Sequence, residues 1–216
     1  GYTYAWDNSA TLSSATVSDP TASPTTTTNY TVTVTETATG CTNTDQVTIT
    51  VNPLPTADAG ADQAICEGES TQIGSAAIAG NTYSWNNGAS LSSASVANPT
   101  ANPTTTTTYT VTVTETATGC TNTDQVTVTV NDVPTADFTF SDLCEGDQTQ
   151  FTDASSIASG SISSWTWDFG DGVGSSSQQN PTYQYSSAGT YTVELIVESG
   201  LNCADTITKN VTIEPL

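Results

Sequence analysis

Histidine, arginine and methionine are absent from this chain, and Lys209 is its single basic residue. Without imidazole or guanidinium, proton relays and phosphate clamps are largely closed off, and one lysine leaves little scope for Schiff-base chemistry. Against that one cation stand 22 acidic residues, for a net charge of −21. Such a surface repels phosphate backbones and anionic lipid headgroups, which argues against nucleic acid and membrane surfaces as partners. No run of about 18 apolar residues exists, so no membrane insertion is expected. No secretory leader is expected in an internal segment of this kind, and no 3.6-residue periodicity persists over a useful length.

What the chain does have is repetition. Thr3–Asn52 recurs at Thr82–Asn131 with a constant offset of 79, and only 10 of the 50 aligned positions differ. Trp6 matches Trp85, Tyr30 matches Tyr109 and Cys41 matches Cys120. A period that long denotes whole domains rather than solenoid units. The stretch that would match Pro53–Gly80 is missing ahead of the first copy, so the expectation is a window cut from a longer tandem array. The expected domains are 1–52, the latter part of a repeat; 53–131, a complete repeat; and 132–216, a diverged third domain.

Within the second copy, Tyr109, Val111 and Val113 alternate with Thr110, Thr112 and Thr114, and Val126, Val128 and Val130 alternate with Thr127 and Thr129. Period-two alternation of β-branched and polar residues predicts half-buried antiparallel strands. Thr118–Asn122 supplies the turn between them. The threonine runs Thr25–Thr28 and Thr104–Thr108 lead into strands at fixed register, which favours an ordered approach over a mucin-like linker. Val51–Thr56 and Val130–Thr135 are short and proline-containing, and predict stiff joints. In the third domain Trp165, Trp167 and Phe169 share one strand face, and Tyr191, Val193, Leu195 and Val197 share another. These two sets are expected to meet across a sandwich core.

The third domain carries Trp167-Asp168-Phe169-Gly170-Asp171-Gly172, then Asn180-Pro181-Thr182-Tyr183, then Gly189-Thr190-Tyr191-Thr192-Val193. In that order these motifs resemble the PKD domain, a seven-stranded immunoglobulin-like sandwich. The first two copies depart from it at Trp85-Asn86-Asn87-Gly88. They look like divergent PKD- or Ig-like repeats of secreted Bacteroidetes surface proteins, including gliding adhesins and filament proteins exported by the type IX system. The fold expected is therefore all-β: tandem Ig-like antiparallel sandwiches arranged as beads on a stiff string. The resemblance implies extracellular display on a cell surface.

Several residues invite a functional reading. Asp168 and Asp171 are a candidate calcium pair, since calcium takes six to eight oxygen ligands; the alternative is a tight Gly-Asp-Gly turn capped by its own aspartate. Calcium is the one cofactor considered, and otherwise none is expected. Asp58, Asp62, Glu67 and Glu69, and likewise Asp137, Glu145 and Asp147, form a second candidate cation cluster at domain ends, against a reading as solvated acidic surface. Tyr30, Tyr109 and Tyr191 resemble the tyrosine corner, and Trp6, Trp85, Trp165 and Trp167 read as core anchors. Tyr183 is the kind of tyrosine that an exposed glycan-binding platform would use.

Five cysteines with no histidine beside them do not form a metal-site pattern, and in small domains they point to disulfides and an oxidising compartment. Pairing within domains would join Cys66 to Cys120 and Cys144 to Cys203. Strand order in an Ig-like sandwich places Cys66 and Cys144 at the turn after the first strand. The same order places Cys41, Cys120 and Cys203 at the last hairpin, at the opposite end of the domain. A strand such as Tyr109–Ala117 spans roughly 30 Å at about 3.3 Å per residue, whereas a disulfide spans about 4.4–6.8 Å between Cα atoms. By a narrow margin the expected bond is therefore the inter-domain pair Cys66–Cys203. A carboxylate pair could in principle hydrolyse glycosides, but repeated small sandwiches offer no cleft, so no enzyme is expected. The function expected is a stalk, filament or adhesive segment. Its partners would be adjacent repeats, a homo-oligomeric fibre or an unidentified surface ligand. The alternative is a glycan- or protein-binding accessory module of a secreted hydrolase.

Overall fold

The computed structural model describes residues 1–141 and 144–215. The fold divides into two compact units. One comprises Gly1–Thr56, Ile78–Thr82 and Val113–Asn122; the other comprises Ala57–Ala77, Tyr83–Thr112 and Thr123–Leu216. Strands dominate both, and the helical content of the described residues is two 3₁₀ turns, Ser9–Thr11 and Gly88–Ser90.

In the first copy β1 (Tyr2–Trp6), β2 (Thr28–Glu36) and β3 (Thr42–Ile49) form an antiparallel sheet in that order. In the second, β4 (Gln63–Cys66), β5 (Thr71–Gln72), β6 (Asn81–Trp85), β7 (Thr100–Ala101), β8 (Thr107–Glu115) and β9 (Thr121–Asn131) form two sheets, β4-β9-β8-β6 and β5-β7. The threonine run is ordered: Val130 N–H donates to Thr106 Oγ1 at 3.1 Å, as Val51 N–H does to Thr27 Oγ1 at 3.1 Å. Short strand β4 runs parallel to the end of β9, with Cys66 opposite Asn131. The valines of β8 and β9 point inward as their alternation requires, and Val111, Val113, Val126 and Val128 are all buried.

The third domain contains β10 (Phe138–Ser141), β11 (Gln148–Asp153), β12 (Ile162–Asp168), β13 (Ser175–Ser176), β14 (Thr182–Gln184), β15 (Gly189–Ser199) and β16 (Ala204–Ile213). Its sheets are β10-β11-β14 and β13-β12-β15-β16. Here one expectation fails. Trp165 lies opposite Val197 and Trp167 opposite Leu195 in neighbouring strands of one sheet, so the two sets lie side by side. Alternation reveals which face a residue points to, but not which strands are neighbours. The facing layer is instead Phe138, Phe151 and Tyr185, with the Phe138 ring edge-on to Trp167 at 5.1 Å.

The tryptophans share a role. The indole N–H of Trp6, Trp85 and Trp167 donates to the carbonyl eleven residues on, at Val17, Val96 and Gln178, at 2.8–2.9 Å. Burial separates them. Trp85 and Trp167 are in the core, whereas Trp6 is half-exposed. Trp165 is also only partly buried, at the rim, where its indole donates to Asp153. Tyr191 is partly buried and ties back to Ser187 C=O at 2.8 Å, as a tyrosine corner does. Tyr30 and Tyr109 differ: their buried hydroxyls meet Thr11 and Ser90 in the 3₁₀ turns, at 2.5 and 2.6 Å.

Candidate functional site at the Cys66–Cys203 joint

The second and third domains receive the incoming chain in the same way. The Asp124 carboxylate accepts the Ala59 N–H at 2.8 Å, and Asp205 accepts the Ala136 N–H at 2.8 Å. Both aspartates lie just beyond a hairpin cysteine, Cys120 or Cys203, so the start of each domain is pinned beside its own last hairpin. Pro55 and Pro134, the matching prolines of the two linkers, are buried. Asn122 Nδ2 donates to Pro55 C=O at 3.0 Å.

The far end of the second domain is built by β4. Glu67 N–H donates to Asn131 C=O at 2.9 Å, Glu69 N–H to Cys66 C=O at 3.0 Å, and the Glu69 carboxylate accepts the Cys66 N–H at 3.1 Å. Cys66 is thus fixed beside Asn131, where the chain leaves for the third domain. Across the linker stands the β15–β16 hairpin: Ser199 N–H donates to Cys203 C=O at 2.8 Å, and Ser199 Oγ accepts the Cys203 N–H at 3.2 Å. Cys66 and Cys203 are disulfide-bonded, with Cα atoms 5.6 Å apart and a sequence separation of 137. This is the pair that strand order favours over Cys66–Cys120 and Cys144–Cys203. Cys41 and Cys144 are free and exposed, and Cys120 is free and half-buried. Beside the bond, a shallow hollow of about 270 Å³ is lined by Val130, Asn131, Asp132, Ile157 and Leu201 among others, with no base facing its single carboxylate.

The carboxylates considered for calcium accept hydrogen bonds from their own turn. Asp168 accepts Gly170 N–H at 2.8 Å; Asp171 accepts Val173 and Gly174 N–H at 3.0 and 2.7 Å and the Tyr183 hydroxyl at 2.5 Å. The Tyr183 bond, with the two backbone donors, holds the Asp171 carboxyl below its usual range, and the Tyr183 phenol is pushed up to about 12 by the same bond. Gly170 has φ +78 and a Cβ there would lie 2.3 Å from Thr192 C=O; a Cβ on Gly174 would strike the Tyr183 ring. Tyr183 is no free platform: its ring stacks on Phe169 at 4.2 Å. At the domain ends, Asp58 accepts Gly60 N–H, Asp62 accepts Thr127 N–H at 2.7 Å, and Asp137 pairs with Lys209 at 2.5 Å. That ion pair, with the Phe138 N–H bond, lowers the Asp137 carboxyl. Among the described residues no three acidic or thiol side chains gather as a metal site.

Three residues escaped the sequence reading. Asp124 and Asp205 pin the incoming chain; their signal was an aspartate shortly after each hairpin cysteine. Asp153 accepts Trp165, Gln179 and Ser155, and although burial alone would raise its carboxyl, these bonds lower it.

Residues 131–214 match the family model described as PKD domain. Over that stretch the chain is similar to PKD domains. A curated relative, collagenase ColA of Bacillus cereus, is 45% identical over 47 residues, which cover 22% of this chain and 5% of the relative, so the chain spans about a twentieth of its length. Among solved structures, the PKD1 domain of Vibrio anguillarum Epp is 31% identical, covering 40% of this chain and 99% of that one at a TM-score of 0.37. The PKD1 domain of the Vibrio cholerae metalloprotease PrtV is 33% identical, covering 38% and 98% at 0.35. No described helix is long and apolar enough to cross a membrane.

Proposed function

We propose that this chain is a non-catalytic spacer segment of a secreted or surface-displayed protein, in which the Cys66–Cys203 bond carries tension past the two domains it joins. The observation behind this is connectivity. A force arriving along the chain at Cys66 crosses to Cys203 through the disulfide, so residues 67–202 lie outside the covalent path under load. Residues 67–202 can then unfold without lengthening the spacer. Adhesive or filamentous display on the cell surface, with export of the Bacteroidetes type, completes the proposal; near-identical copies suit a spacer, which needs one unit repeated.

Single-molecule stretching by the chain termini tests it. Without reductant, residues 67–202 contribute no unfolding length; reductant releases them, adding about 450 Å at about 3.3 Å per residue. Full extension without reductant contradicts the proposal. Side-by-side packing into a fibre would first require salt to screen the net charge of −21. Sedimentation of the chain at high salt reads that directly, and monomers throughout would remove the fibre.

The similarity to ColA favours a second reading, an accessory module of a secreted hydrolase. Glycan binding in that role needs exposed aromatics. Tyr183 is engaged by Phe169 and Asp171, and the most exposed large aromatic is Tyr2 at 64%. A glycan-array signal lost in Tyr2→Ala would favour this second reading.

A further inference from the structure

We propose that the Cys144 end of the third domain docks another Ig-like domain and closes a second disulfide of the Cys66–Cys203 kind on that domain's last hairpin. This deepens the spacer reading by naming the partner that continues it. The backbone geometry around Cys144 copies that around Cys66. Cys144 pairs in parallel with Glu214 as Cys66 pairs with Asn131. Glu145 N–H donates to Glu214 C=O at 2.8 Å, matching Glu67 N–H to Asn131 C=O at 2.9 Å. Asp147 N–H donates to Cys144 C=O at 3.1 Å, matching Glu69 N–H to Cys66 C=O at 3.0 Å. The turn glycines, Gly146 and Gly68, have φ +82 and +87.

A free thiol alone would say nothing. The second observation is that the same position, in the same local geometry one domain earlier, is bonded in this structure. The partner's chemistry follows from that bond: a hairpin cysteine beside an aspartate that pins the incoming chain. The chain carries that hairpin cysteine three times, at Cys41, Cys120 and Cys203. Cys144 is exposed and its thiol is unbonded, so the half-joint is accessible. Closure oxidises two thiols to one disulfide; the two protons and two electrons pass to an external disulfide such as oxidised glutathione, which leaves as two thiols.

The test extends the full chain after Leu216 with a second copy of residues 134–216. Pro134 then follows Pro215-Leu216 as Pro55 follows Pro53-Leu54, reproducing the first linker. After oxidation with a glutathione couple, free thiols are counted and disulfide peptides mapped without reduction. The original chain has three free thiols, and the appended copy brings two more cysteines. The expected result is that three thiols remain free, with a peptide joining Cys144 to the appended Cys203. Cys144→Ser should leave the appended Cys203 titratable. Five free thiols, or a bond within the appended copy, would overturn the inference while Cys66–Cys203 and the spacer reading stand. Loss of the Cys66–Cys203 peptide in the unextended chain would instead remove both.

Discussion

The first two copies are 40 residues in 50 identical, yet their interiors differ. Val126 is 1% exposed while its counterpart Val47 is 49% exposed, and Trp85 is in the core while Trp6 is half-exposed. The same side chains on the same strands are core in one copy and surface in the other. Local sequence therefore sets strand, face and the tryptophan hydrogen bond in both. Burial is set by residues outside the shared stretch: β4 and β5, with the linker held by Asp124, lie ahead of it in the second copy. Hydrophobic stabilisation follows area removed from water, so the energetic weight of a residue here is a property of the facing layer.

Substitutions sharpen that contrast in descending order. Breaking the staple is expected to have the largest effect. By the loop-entropy relation a closed loop of 137 residues contributes about 5 kcal/mol, so reduction or Cys66→Ser should lower the melting temperature of the second and third domains together. Cys41→Ser should leave the melt unchanged. Next, Trp85→Ala should cost about 3–5 kcal/mol in urea unfolding, and Trp6→Ala less than half of that. Val126→Ala should cost about 1–2 kcal/mol at about 0.8 kcal/mol per buried methylene, with Val47→Ala within about 0.5 kcal/mol of zero. Equal costs at either pair of positions would break the comparison.

The smallest effect is on pH. Asp171 has a folded pKa below its unfolded value, so its contribution is complete above the ordinary carboxylate range near 3.8 and is lost as pH falls through the folded value. Tyr183 is raised from 10.0 to about 12, so its contribution is complete below 10 and is lost as pH rises towards 12. Chemical-denaturation midpoints of the wild type should fall at both extremes. Tyr183→Phe should flatten both limbs, and unchanged limbs in that variant would contradict the Asp171–Tyr183 assignment.

Much of this was legible beforehand. Alternation located the strands, and the Gly170-Asp171-Gly172 motif marked a turn whose aspartate caps its own backbone. Strand direction placed Cys66 and Cys203 at facing ends. What escaped was relational. Trp167 and Leu195 share a sheet, which periodicity cannot reveal, because it specifies a face and not a neighbour. Asp124 and Asp205 act across 65–69 residues of chain: an aspartate after each hairpin cysteine marks them, but nothing local names the N–H they bind. Tyr183 reads as an available aromatic until Phe169 and Asp171 are seen against it. The exposure of Trp6 depends on what faces it, and no local motif encodes that.

The central claim is that a disulfide joins the second and third domains. Peptide mapping of the oxidised chain under non-reducing conditions tests it most directly. The account predicts a single cross-linked species joining Cys66 to Cys203, with Cys41, Cys120 and Cys144 alkylated as free thiols. A peptide joining Cys66 to Cys120, or Cys144 to Cys203, would contradict it.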